Sequence, residues 1–236
     1  MSSSPPRSPA DHSTGEPSAS PHPPLLPPRT DTVAPLALVE TAFLASAASL
    51  IWLVNFYFPL GPALRIFFPV PITLVYLRWG ARSAWMAAIV SGLLLSVLMG
   101  PPRSIQYVMP YGLLGVLLGC LWQRGMGWGR SIALGTLLSA TGLFFRIALV
   151  STLLGDDLWT YVTVQTTGLL EWMAARLGLL WRPELAAVQG ATVLMITMNA
   201  AIYVFAVHLV SWTVFERLGI RLPPPPRWVQ TILEID

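Results

Sequence analysis

Arginine is the side chain through which this sequence can do chemistry. All fourteen basic residues are Arg, and two of them, Arg65 and Arg146, stand within apolar stretches long enough to cross a bilayer. An arginine at the centre of a span costs about 2.5–3.5 kcal/mol on insertion scales, so an intramembrane arginine marks a candidate functional site. Helical rise puts Arg65 roughly 7 Å below the outer end of its span and Arg146 roughly 22 Å above the inner end of its own. Both fall in the outer third of the bilayer. Arg103, at the outer tip of a helical hairpin, joins that layer. Glu40, roughly 6 Å from the inner end of the first span, is at the wrong depth to neutralise them. Three guanidiniums near one level with no carboxylate beside them predict an outward-facing site for an anionic group. The competing reading is that each long side chain snorkels to headgroup phosphates or bonds a carbonyl. Asn199, near mid-depth in the last span, offers an amide to a neighbouring helix or to a ligand.

Other chemistries find little purchase. The one cysteine, Cys120, lies in an apolar helix with no Cys or His at metal-ligand spacing. His208 is isolated, and Asp156 and Asp157 are adjacent in a loop with nothing to complete a metal shell. No nucleophile, base and orienting group assemble, so neither an enzyme nor a cofactor or metal is expected. The glycine-rich RGMGWGR (Arg124–Arg130) lacks a preceding strand and a following GK[ST], and reads as a turn rather than a phosphate loop. The net charge of +3 is small and scattered, which argues against nucleic acid as a partner.

The elements that must position these residues are membrane helices. The chain of 236 residues is 54% hydrophobic and 11% charged, far below the roughly 25% charged typical of soluble domains. Lipid is the solvent that suits it. Two charge-free runs, Ser83–Pro102 and Ser104–Gln123, flank Arg103 and form a helical hairpin broken at Gly100-Pro101-Pro102; about 20 apolar residues span a bilayer. A first span runs from about Pro35 to Tyr57. A second, from Leu60 to Trp79, carries Arg65, Pro69 and Pro71, and is either a kinked span or a re-entrant hairpin sheltered by its neighbours. A fifth runs from Ser131 to about Leu154. The last lies within the charge-free Leu185–Phe215.

The expected fold is therefore all-α and polytopic, with six transmembrane helices over 34–216. Residues 156–182 read as an amphipathic helix at the outer interface, with Trp159, Trp172 and Trp181 at the membrane boundary. Residues 1–33, with nine prolines and seven serines, predict a disordered cytoplasmic tail. Residues 217–236, broken at Pro223–Pro226, predict a second cytoplasmic tail. With the N-terminus inside, nine arginines lie on inner loops and tails against three outside, as the positive-inside rule requires.

Small residues pair at four-residue spacing on the first span, Ala42 with Ser46 and Ala45 with Ser49. Such pairs allow close helix approach. They serve either internal packing or the docking of a membrane partner.

The run VYLRWGARSAWMAAIVSGLLLSVLMGPPRSIQYVMPYGLLGVLLGCLWQRG resembles the YybS-like family, an uncharacterised family of bacterial integral membrane proteins. TAFLASAASLIWLVNFYFPLGPALRIFFPVP is similar to its cyanobacterial branch. The most telling positions are Gly80 after a basic residue and an aromatic, Gly100-Pro101, and Gly112, Gly115 and Gly119 before Arg124-Gly125. The resemblance implies kinship with the substrate-binding S components of energy-coupling-factor transporters. It implies six spans, an outward ligand site, and a first helix that docks a transmembrane coupling subunit served by an ATPase. It implies a multi-pass protein of the plasma membrane, or in cyanobacteria the thylakoid. A homo-oligomer is the other partnership considered, beyond the lipid bilayer itself.

Overall fold

A computed structural model describes residues 33–58, 61–178, 184–220 and 222. The two expected tails, apart from a few residues at their edges, and Trp181 and Arg182 lie outside the described residues.

Apolar, charge-poor runs form helices here because a backbone in lipid must satisfy its own N–H and C=O groups. In chain order they are α1 (Val33–Tyr57), the single turn α2 (Pro62–Ile66), α3 (Val70–Met99), α4 (Pro101–Tyr107), a π-helical turn (Val108–Gly112), α5 (Leu113–Gln123), α6 (Trp128–Leu154), α7 (Leu158–Arg176) and α8 (Leu185–Arg217). Among the described residues, five helical stretches are long and apolar enough to span a membrane: Pro35–Tyr57, Ala63–Met99, Pro101–Gln123, Trp128–Leu154 and Leu185–Arg217. The architecture is all-α. The expected glycine loop is shorter than its sequence implies, because α6 already starts at Trp128 rather than Ser131.

The second of these stretches is two arms, not one rod. Gly80 sits at φ 81°, ψ −177° inside α3, a region open almost only to glycine. Gly100, between α3 and α4, has nearly the same conformation, φ 89°, ψ 158°. The neighbours show what the Gly80 break does. Before it, Ile72 lies against Gly115 and Tyr76 against Gly119, so that arm ascends with α5. After it, Ala88 meets Gly112 and Gly92 meets Ser104 and Val108, in the opposite order. The chain therefore reverses at Gly80. The first arm ends where Arg78 and Trp79 Nε1 bond the Glu40 carboxylate, so with α2 at its other end, beside the C-terminal part of α1, it runs back along α1 as far as Glu40. This decides between the two readings of the Leu60–Trp79 stretch: it is a crossing, broken by the turn at Phe67–Pro69, and not a re-entrant hairpin.

Counting the two arms separately makes six crossings among the described residues. Gly135 meets Val204 and His208 meets Ser131, so α8 runs antiparallel to α6. Since α6 ends and α8 begins at the same end of the bundle, α7 joins them without a net crossing. Asp157 caps α7 by accepting from the backbone N–H groups of Trp159 and Thr160.

Packing relies on absent side chains. A Cβ on Gly115 would lie 2.8 Å from the Pro69 carbonyl oxygen and 2.9 Å from Ile72 Cβ, and one on Gly119 would overlap Tyr76. This glycine pair at four-residue spacing is the small-xxx-small device that brings helix backbones together in lipid. A hydroxyl-to-carbonyl bond crosses at several close approaches: Thr73 Oγ1 to Gly115 O at 3.0 Å, Ser49 Oγ to Ser91 O at 3.1 Å, and Ser104 Oγ to Gly92 O at 2.5 Å.

The α1 pairs divide accordingly. Ala45 and Ser49 are buried against α3, so they serve the protein's own packing and are not open to a docking partner. Ala42 and Ser46 face outward, with Ser46 Oγ bonded to the Ala42 carbonyl.

Two outcomes follow from these contacts. Gly119→Ala should destabilise the detergent-solubilised protein by about 1–3 kcal/mol through overpacking, while Gly168→Ala, in the middle of α7 with open space around it, should stabilise by about 0.5–1 kcal/mol; paired thermal unfolding curves check both. Hydrogen bonds from Thr160 hold the Asp157 carboxyl below its ordinary pKa of 3.8. The cap is therefore complete above that value and is lost as pH falls through the lower folded value, so Asp157→Ala should fray α7 at pH 7 and change little at strongly acid pH, read by amide hydrogen exchange of α7.

Candidate functional site

Halfway along the bundle, α2, the π-helical turn, α6 and α8 line a half-open cavity of about 280 Å³. Its polar lining is Arg65 from α2, Ser139 and Arg146 from α6, and Asn199 from α8, joined by Tyr111 and Tyr203. Pro110, Gly142 and Ala200 are buried at its floor, whereas Arg65, Arg146 and Asn199 are exposed at its rim.

Each element has a local reason for its place. Pro110 cannot donate to the helix ladder, and the backbone around it widens into a π turn; such bulges recur at functional sites. The turn presents Tyr111 to the cavity and packs Pro110 onto Gly142, where a Cβ would come within 2.9 Å of the proline ring. The α2 turn is held by Tyr203, whose hydroxyl donates to the Arg65 carbonyl at 3.0 Å. Tyr203 also meets Tyr111 edge to face, with centroids 5.9 Å apart. Tyr111 in turn contacts Phe68 at 5.0 Å, Trp52 at 5.4 Å and Tyr107 at 6.5 Å. One wall is thus backed by a fixed aromatic cluster.

The electrostatics are one-sided. The cavity lining holds two guanidiniums and no carboxylate, and the ion pair among the described residues joins Arg78 to Glu40 elsewhere. Ser139 Oγ is buried without a hydrogen-bond partner, a donor left for an occupant or for water. The arrangement is suited to binding an anion whose remainder is apolar. Among the described residues no group of three His, Cys, Asp or Glu could hold a metal.

Of the four arginine and asparagine candidates, Arg65, Arg146 and Asn199 come together here. Arg103 does not. Its guanidinium lies 3.8 Å over the Phe56 ring at the Gly100 end of the bundle, because the hairpin tip turns it toward the C-terminus of α1. Tyr111, Tyr203 and Pro110 went unrecognised in the sequence; the one available signal was a proline in the middle of a charge-free run.

His208 has another task. Its Nδ1 faces the Val204 carbonyl at 2.8 Å and so carries the proton, leaving Nε2 to accept from Ser131 Oγ at 2.9 Å. Buried between Trp122 and Trp128, it ties α8 to α6.

A sequence profile for a family described as predicted membrane protein (DUF2232) matches residues 46–178. The chain belongs to this family. No curated protein and no solved structure matches it. Together with the helices above, this makes it a multi-pass membrane protein. The DUF2232 match includes Arg65, Tyr111 and Arg146 but stops before α8, which contributes Asn199 and Tyr203.

Ser131→Ala would leave the buried His208 Nε2 without a donor. It should cost about 1–3 kcal/mol in thermal stability while leaving membrane insertion unchanged, read by detergent melting and membrane fractionation.

Proposed function

We propose that this DUF2232 protein is a substrate-capturing membrane component that binds a small anionic or amphiphilic molecule among Arg65, Arg146 and Asn199. The observation that carries the reading is the convergence of two arginines from separate elements on one cavity without a carboxylate. Neither guanidinium has an acidic partner among the described residues, and a bound anion would supply one. Binding rather than catalysis is the task.

The broader setting extends the same reading. The arginine asymmetry between loops orients both termini to the cytoplasm, which turns the Gly100 end outward. The resemblance to YybS-like proteins and to S components adds an ATPase module, coupled through a second membrane subunit, as the agent of uptake across the plasma membrane. That part is fold-level analogy. With Ala45 and Ser49 occupied internally, Ala42 and Ser46 remain as the outward small residues of α1 for a coupling subunit.

Native mass spectrometry of the protein extracted gently from its own membrane tests the reading. A bound small molecule should be present in the wild type and in Arg103→Ala, and absent in Arg65→Ala and Arg146→Ala. An empty wild-type protein that brings down membrane partners without an ATPase would overturn it in favour of a scaffold.

A further inference from the structure

Resting on the capture reading, we infer that the cavity takes a compact ring-bearing anion, one carboxylate or phosphate head on an apolar body, rather than a polyhydroxylated or polyphosphorylated solute. Three observations carry this. The first is volume. About 280 Å³ equals roughly nine water volumes at about 30 Å³ each, which limits the enclosed part of a ligand to roughly ten non-hydrogen atoms. A nucleotide would leave most of its atoms outside that space.

The second is the distribution of polarity. The head-binding groups Arg65, Arg146 and Asn199 are exposed, as is Ile202 beside them, while Pro110, Gly142 and Ala200 are buried and Ile66, Leu143 and Ala206 add half-buried apolar lining. Beyond the head-binding groups the polar lining is Ser139, Tyr111 and Tyr203, the last with its hydroxyl already given to the Arg65 carbonyl, so a sugar phosphate would have more hydroxyls than partners, at a cost for each one unpaired. An apolar body leaves none.

The third is the aromatic wall. Tyr111 makes edge-to-face contacts with Phe68 at 82° and Tyr203 at 77°, which back its ring against the cluster. A ligand ring beside it extends an arrangement in which aromatic pairs gain beyond simple burial. Arg65 and Arg146 supply planar donor forks for one carboxylate or phosphate.

The test uses the full chain in phosphatidylcholine nanodiscs, with radiolabelled phenylacetate in equilibrium dialysis and unlabelled competitors. Phenylacetate should bind and be displaced by phenyl phosphate. Cyclohexylacetate, of equal size, should compete about threefold less well. Acetate and inorganic phosphate should be at least about tenfold weaker, since they lack the buried body. Arg146→Gln, at an exposed position, should weaken binding about tenfold or more, Arg103→Gln should leave it unchanged, and Tyr111→Leu should erase the preference for phenylacetate over cyclohexylacetate.

Inorganic phosphate or glucose 6-phosphate binding as tightly as phenyl phosphate, in an Arg146-dependent way, would overturn the ring-bearing class and leave the anion site standing. Stronger competition by phosphatidylglycerol placed in the disc would assign the cavity to a lipid headgroup and also overturn it. No Arg146-dependent binding of any of these anions would sink both readings.

Discussion

Close approach of helices without side chains between them is the constraint on which the rest depends. In lipid there is little hydrophobic force between helices, so association rests on van der Waals fit and on hydrogen bonds across the contact. Gly115 and Gly119 allow α5 to lie directly on the first arm of α3, and Thr73 crosses the gap to the Gly115 carbonyl. That contact fixes the height of α5, and hence of the π turn that continues it toward Gly100. The turn places Pro110 on Gly142 of α6 and Tyr111 at the cavity wall. A bulkier residue at Gly119 would therefore disturb a cavity wall two turns away as well as the helix pair it occupies.

Chain reversal uses the same economy. Gly80 and Gly100 adopt nearly one backbone conformation and join helices with no loop residues to spare. Short turns leave little backbone to be satisfied outside a helix, which matters where no water is present to do it. They also bring Arg78 and Trp79 to Glu40, so the only acid in the long apolar part of α1 is neutralised at the bundle end opposite Gly100. The cavity arginines gain no such partner. Their charge is left to face whatever enters.

The division between packing residues and site residues follows from this geometry. His208 has both ring nitrogens engaged and is sealed by tryptophans, whereas Arg65, Arg146 and Asn199 retain exposed polar atoms around an open volume. Buried polar groups that are fully satisfied hold a structure in place. At the cavity wall the buried Ser139 hydroxyl is left without a partner and is available for binding.

Much of the fold was legible in the sequence, because helix existence in a membrane depends on a local property: runs of about 20 residues free of charge. Those runs, with Gly100-Pro101 as a breaker, determined the helices and the central hairpin. The depth of Arg65 and Arg146 was equally local, following from 1.5 Å of rise per residue. Depth is one coordinate of three, however. It put Arg103 in the same layer and could not tell that the hairpin tip turns it onto Phe56. It could not separate Ala45 and Ser49, buried against α3, from Ala42 and Ser46, one face over on the same helix. Nor did it foresee the π turn at Pro110, or that Tyr111 and Tyr203, ninety-two positions apart in the chain, would meet at one wall. Azimuth around each helix and the pairing of helices are set by contacts between distant segments, and only the tertiary structure decided them.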